Sequence, residues 1–321
     1  MGMRREHSPL FGPHPVTMDD VPSLNDLFSS AFTARYRRDG LVGVRVPPLN
    51  PAIWEYAISA AGRGAMLWRD SHGAIAAFNF AHTSGREGWM GPLAVREDCQ
   101  GTGVGKLVVR SAISHLMGSG CATIGLETMP RTVDNIGFYS TLGFVPGTIT
   151  VTLTMEATES GEVRGLLSQL NPAARDAAVA ECSALTARVL PGSEYAREVR
   201  LTHELRLGDT ILLRRDDALV AFALCHASPL VEGRGREELR VLKLVAADQA
   251  AFEALLAPLA SLARRTSNAR FAMRVQGEYR AAYASVIRAG GRVRWTDLRM
   301  TLEGYPQVPP VGGIAFTNWE I

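Results

Sequence analysis

A chain of 321 residues exceeds what one ordinary hydrophobic core supports, which predicts two domains. With 46% hydrophobic and 21% charged residues it has the composition of a soluble globular protein, and a formal net charge of +2 is too small to argue for nucleic acid. No run reaches 18 apolar residues, so a hydropathy-defined membrane span is excluded. The four cysteines (Cys99, Cys121, Cys182, Cys225) lie far apart without CxxC or nearby histidines, which predicts free thiols in a reducing compartment and no metal. The first residues lack the apolar stretch of a signal peptide, and Glu6 stands where a myristoylation signal needs Ser or Thr. A cytoplasmic location is the resulting expectation.

In chain order, Val16 and Thr17 close a short first strand, and Asp19 or Asp20 caps a helix through Phe32 with Leu24, Leu27, Phe28 and Phe32 at helical spacing. The basic, Gly/Pro-rich stretch ARYRRDGLVGVRVPPLNP follows, either a long surface loop or a lid over an acceptor site. Asn50-Pro51 then starts a helix to about Ala61. AMLWRD and AIAAFNFAHT flank the turn Ser71-His72-Gly73 as a hairpin, and GREGWMGPLAV adds a third strand. Beyond a glycine-rich turn come a helix to about Met117, the strand ATIGLETM, a helix from Val133 to Leu142 ended by Gly143, and a bent or hairpinned strand from Phe144 to Met155.

The polar segment 156–165 reads as a linker between domains 1–155 and 166–321. The second half repeats the same order of elements: helices to about Val189 and from Tyr195 to Leu205, strands DTILLRRDD and ALVAFALCHA, strand LRVLKLVAA, a helix from Asp248 to Arg265, strand RFAMRV, a helix from Glu278 to Arg288, and strand RVRWTDLRMTL. This predicts an internal duplication offset by roughly 150 residues. The tail PPVGGIAFTNWEI is expected to add a strand to a sheet edge, in its own or the other domain.

The chemistry concentrates in GPLAVREDCQGTGVGKLVVR (91–110), a strand, three glycines at alternate positions and a helix. Glycine permits φ > 0 and close backbone approach, and a helix N-terminus presents unpaired N–H groups, so the pattern suits an anion. It is no Walker loop, since Gln100 and Leu107 stand where Gly and Ser or Thr belong, and no dinucleotide fingerprint, since Lys106 and Val108 replace the third glycine. It does spell Q-x-x-G-x-G through Gln100, Gly101, Thr102, Gly103, Val104 and Gly105, directly after Leu93-Ala94-Val95.

Together with NIGFYSTLGF (135–144), these residues resemble the GNAT superfamily of N-acetyltransferases over about residues 14–155, and the second half resembles it in element order. The resemblance implies an α/β (α+β) architecture of two tandem domains, each a mixed, mostly antiparallel twisted sheet flanked by helices. It implies an acetyl-CoA co-substrate lying where one strand splays from its neighbour. Backbone groups of Leu93, Ala94 and Val95 would hold the pantetheine and acetyl carbonyl, and N–H groups from Gln100 to Lys106 the pyrophosphate, with Asn135 and Phe138 as further contacts. Arg96, Lys106 and Arg110 are either partners of the 3′-phosphate or solvated cations.

In the implied reaction an amine attacks the thioester and the thiolate leaves, which calls for a base, oxyanion stabilisation and an acid. Tyr139 matches the family's general acid, or is a packed aromatic beside Phe138. Asn135 or Asp134 serves equally as a helix cap. Where some relatives carry a basic carboxylate this chain has Trp89, which accepts no proton. Glu87 or Glu127, acting through water, is the expected base, with His72 and His82 as outside candidates. The place of the cradle in the second half, LKLVAADQAAF, lacks glycines, and Val286 stands where Tyr139 does, so that half is expected to have lost its cofactor site. The expected acceptor is a small-molecule or peptide amine, without nucleic acid or membrane as partner, and the protein a monomer or homodimer. A non-catalytic acyl-CoA-binding protein is the competing expectation.

Overall fold

The structure, a computed structural model, describes residues 9–158, 163 and 165–319. The first residues of the chain, part of segment 156–165 and the end of the tail, on which expectations about leader, linker and terminus rest, therefore lie outside the described residues.

The first half runs β1 (Phe11–Pro15), α1 (Val21–Arg38), α2 (Pro51–Ala61), β2 (Ala65–Arg69), β3 (Ile75–Ser84), β4 (Glu87–Val95), α3 (Val104–Gly118), β5 (Thr123–Thr128), α4 (Val133–Ser140) and β6 (Phe144–Glu156). The second runs α5 (Pro172–Val189), α6 (Ala196–Glu204), β7 (Gly208–Arg215), β8 (Ala218–His226), β9 (Glu238–Ala246), α7 (Gln249–Arg265), β10 (Arg270–Gln276), α8 (Arg280–Arg288), β11 (Arg292–Leu302) and β12 (Ile314–Thr317). None of the described helices is long and apolar enough to cross a membrane.

Local chemistry accounts for most boundaries. The side chain of Asn50 accepts the Ala52 N–H at 3.0 Å and Pro51 opens α2, as their order predicts. Asp216 and Asp217 both have positive φ and turn β7 into β8. The first strand ends two residues earlier than expected, at Pro15. α1 departs from expectation more: it continues past Phe32 through Ala34-Arg35-Tyr36-Arg37-Arg38. Ala and Arg are strong helix formers, and three arginines in the last turn suit the negative end of the helix dipole, so a stretch read as loop extends the helix. The rest of that stretch folds back on α1: buried Asn25 holds both the N–H and the carbonyl of Leu49 and accepts from Trp54 Nε1 at 2.7 Å.

The strands form one continuous sheet in the order β1-β2-β3-β4-β5-β11-β6-β10-β9-β8-β7, with β12 added on β9. This order is a near palindrome about the β11–β6 pair. Each half gives its last strand to the other: β11 lies beside β5, and β6 beside β10. The sheet therefore runs without a break from the expected unit 1–155 into the expected unit 166–321. α2 adds to the join, since Trp54 and Ala57 pack in the first half's core while Ile53, Tyr56 and Ala60 pack with α5 and α6. β6 is a single bent strand rather than a hairpin, with a register shift against β11 between Leu298 and Met300. All pairings are antiparallel except β4–β5 and β9–β10.

Candidate active site

The first parallel pair is short. β4 and β5 pair from Glu87–Thr123 to Met90–Leu126 and then separate, while β4 continues to Val95 along β3. A bulge causes this: Asn79 pairs with Leu93 but Ala81 with Met90, leaving an extra residue around Gly91-Pro92 that bends β4 away from β5. On the β5 side, Leu93, Ala94 and Val95 thus have no partner strand among the described residues.

The glycine loop lies at the end of this open edge. Gly101 and Gly103 have φ of +75° and +95°, a region that disfavours side chains, and a Cβ on either would meet nothing within 4 Å. The protein's own packing does not demand these glycines; open space lies before them. Gly105 differs, because its Cβ would come to 3.3 Å from the Phe138 ring. Gly103 is the N-cap of α3 and supplies no side-chain hydrogen bond, so the first N–H groups of the helix stay unpaired by any cap. The loop is held from behind: Gln100 Nε2 donates to the Val95 carbonyl at 2.8 Å, and Thr102 Oγ1 to the Cys99 carbonyl at 2.5 Å.

A cleft of about 490 Å³ joins loop and gap. Leu93 to Val95 with Gln100, Gly101, Gly103, Gly105 and Lys106 contribute one wall, Asn135, Phe138 and Tyr139 of α4 a second, and Phe32, Arg35 and Arg38 of α1 a third. Its charged lining among the described residues is Arg35, Arg38 and Lys106, with no carboxylate. Arg96 is not part of it; ion pairs to Asp70 and Asp98, both at 2.8 Å, turn it away.

Tyr139 is half-buried in the cleft wall, edge-on to Phe138 and Phe144. Burial pushes its phenol up to about 12, so the group stays protonated at neutral pH. Asn135 also lines the cleft, but neither it nor Asp134 is the helix cap. Thr132 occupies the N-cap, and its hydroxyl donates to Asp39 at 2.5 Å.

The expected carboxylate bases are engaged elsewhere. Glu127 lies in a buried ion network, 2.5 Å from Arg274, 2.8 Å from Arg299 and 2.7 Å from the Thr150 hydroxyl. Burial raises its pKa, but the two guanidinium groups outweigh burial and bring it down to about 2, which removes its capacity to take a proton. Glu87 accepts from Ser193 at 2.8 Å and Tyr195 at 3.0 Å, both residues of the second half. Trp89 is fully buried, stacked on Trp319 at 6.0 Å with Arg299 4.5 Å above its ring, and so is packing rather than pocket wall. His82 lies at the root of the gap with Nε2 3.2 Å from the Gly91 carbonyl; burial and the nearby Lys243 lower its pKa to about 4. His72 belongs to the exposed turn before β3.

The second half builds the same gap and closes it. β9 and β10 pair only from Glu238–Arg270 to Arg240–Ala272. Into the space beyond comes β12, pairing Lys243 to Ala246 of β9 with Thr317 to Ile314. The tail is thus an interior strand of its own half, not an edge strand or one in the other domain. Gly313 permits this entry, because a Cβ there would lie 2.3 Å from the Ala246 carbonyl. Asp248 caps α7 by accepting the Ala251 N–H at 2.7 Å, which places a carboxylate where an anion would sit.

The profile of the acetyltransferase (GNAT) family matches residues 24–144, the segment that holds the open gap, the glycine loop and Tyr139. Residues 24–144 therefore match a GNAT acetyltransferase domain. Over 127 residues it is 30% identical to serotonin N-acetyltransferase 2, chloroplastic, of Oryza sativa subsp. japonica, covering 39% of this chain and 56% of that protein, so the match spans about half the length of that relative. Almost the whole chain superposes on two solved structures. One is a tandem GNAT protein from the clavulanic acid biosynthesis pathway (TM-score 0.58, 13% identity, 93% of this chain and 99% of that one). The other is Saccharomyces cerevisiae N-myristoyltransferase, solved with myristoyl-CoA and inhibitors (TM-score 0.65, 10% identity, 97% and 83%). At such identities the likeness is one of fold.

Two residues of the cleft, Arg35 and Arg38, were not among the sequence-derived candidates. The signal available was the run of helix formers ending in a basic last turn, which continues α1 toward the cradle.

Proposed function

We propose that this protein is an acetyl-CoA-dependent N-acetyltransferase that moves an acetyl group to a primary amine by direct attack on the thioester, with the cofactor held by the first half alone. The observation that carries this reading is the cleft: three cations and no carboxylate line a channel from an uncapped helix N-terminus, along an unpaired strand edge, to a protonated tyrosine. A diphosphate suits the first part, an extended amide arm the second, and a leaving thiolate the third.

In this reading Leu93, Ala94 and Val95 hold the pantetheine and acetyl carbonyl, and Gln100, Gly101, Thr102, Gly103, Val104, Gly105 and Lys106 the diphosphate, with Asn135 and Phe138 beside the arm. The amine nitrogen bonds to the acetyl carbon. As the tetrahedral intermediate collapses, the C–S bond breaks, Tyr139 gives its proton to sulfur, and the extra proton on nitrogen passes to water, from which the tyrosinate is reprotonated. The amine enters as its free base, since Glu127 is neutralised by arginines and Glu87 is engaged by Ser193 and Tyr195. The second half, with β12 in its gap and Asp248 on its helix, acts as a scaffold. The acyl-transferring relatives support a transferase, and the amine named for the rice relative makes small arylalkylamines a reasonable first panel.

A non-catalytic acyl-CoA-binding role is the second reading, favoured by the engagement of both carboxylates. Mixing the protein with acetyl-CoA, amines and a thiol reagent decides between them: amine-dependent release of CoA supports the enzyme, and acetyl-CoA binding without release for any primary amine supports the binding protein.

A further inference from the structure

The third wall of the cofactor cleft comes from no part of the glycine-loop or NIGFY motifs. Past Phe32, the last turns of α1 carry Arg35 and Arg38 across the mouth of the cleft. Arg35 is committed on the α4 side, paired with Asp39 and 3.5 Å from Asp134. Arg38 reaches the opposite side: Nη1 donates to Gln100 Oε1 at 3.0 Å, and Nη2 to Glu97 Oε1 at 3.1 Å. Gln100 is itself fixed to Val95, so the guanidinium of Arg38 is held against the first residue of the glycine loop.

Resting on the cofactor reading above, we propose that Arg38 is a ligand of the CoA diphosphate, and that it exchanges the Glu97 carboxylate for phosphate oxygens when the cofactor enters. The pair it would give up is weak. The side chains of Arg38 and Glu97 are 47% and 75% exposed, and an ion pair so open to water contributes little. The pair it would gain is better, because a planar guanidinium matches a phosphate bidentately and a diphosphate offers two charges instead of one. Glu97 would then hold Arg38 in place over an empty cradle. Arg35, fixed by Asp39 and Asp134, would anchor the turn that carries it.

Calorimetry with CoA and with 3′-dephospho-CoA tests this on the full chain. Arg38→Gln keeps a donor for Gln100 but loses the charge; it is expected to weaken both ligands by roughly 10-fold to 100-fold while leaving the thermal midpoint unchanged. Arg38→Lys should fall between, and Glu97→Gln should tighten both ligands by about two-fold to five-fold. Affinities of Arg38→Gln within about two-fold of wild type overturn the proposal. A loss confined to CoA and absent with 3′-dephospho-CoA also overturns it, since Arg38 would then read the 3′-phosphate. Wild-type protein that binds neither ligand overturns the cofactor reading itself.

Discussion

The two halves of this sheet make the same gap and treat it in opposite ways. Between β4 and β5 the space is open, and the helix beyond it begins at a glycine that caps nothing. Between β9 and β10 the space holds β12, and the helix beyond it begins at Asp248, which caps its N–H groups with a carboxylate. A buried strand edge must satisfy its hydrogen bonds. The second half does so with its own chain, and the first leaves them open to the cleft. The difference teaches that the same splay between parallel strands can be filled by a four-residue strand of the chain itself or left open.

The largest effect should come from cutting the halves apart. Because β11 completes the sheet beside β5, and β6 beside β10, residues 1–155 produced alone should not give a cooperative unfolding transition, whereas mixing with 166–321 should restore one. A stable, monomeric 1–155 would show that the strand exchange is dispensable.

Next is the chemistry proposed for the open gap. Tyr139→Phe should lower kcat by about 10²-fold to 10⁴-fold with little change in acetyl-CoA affinity, measured by turnover and by calorimetry, while Val286→Tyr in the closed half should add no activity. Equal loss of affinity and turnover would make Tyr139 a packing residue instead.

The join between the halves should respond to pH. Glu127, from the first half, is held by Arg274 and Arg299 of the second, and its pKa is depressed to about 2. A depressed carboxylate contributes stability that is fully present above its ordinary pKa and is lost as pH falls through the folded value. The contribution, on the order of 3 kcal/mol, should therefore disappear between about pH 5 and pH 2. Glu127→Gln should cost about 3 kcal/mol at pH 7 in urea unfolding and flatten that acid limb. An unchanged acid limb would place the network's contribution elsewhere.

The smallest effect is expected where the comparison predicts none. Acetyl-CoA should bind once per chain, and Asp248→Ala should leave that stoichiometry at one, because β12 still fills the second gap. A second site in this variant would mean that the carboxylate, not the strand, keeps the cofactor out.

The sequence alone determined what depends on neighbours in the chain. Glycines at 101, 103 and 105 before an apolar run, Asn50 before Pro51, the turn Ser71-His72-Gly73 between two apolar runs, and the absence of glycines before α7 are short-range facts whose physics is local: φ preferences, caps and turn chemistry. The difference between the two helix starts is likewise local, because Asp248 and the absence of glycines beside it are read residue by residue. Only tertiary structure decided what depends on partners far away. That β11 and β6 change places, that β12 enters a gap instead of an edge, and that Arg38 faces Gln100 follow from long-range pairing, which no window of the sequence carries. Glu127 is the plainest case. As a residue it is a carboxylate on the strand beside the open gap, of a type fit to be a base. Two arginines more than 140 positions away in the chain make it a fixed charge that holds the halves together.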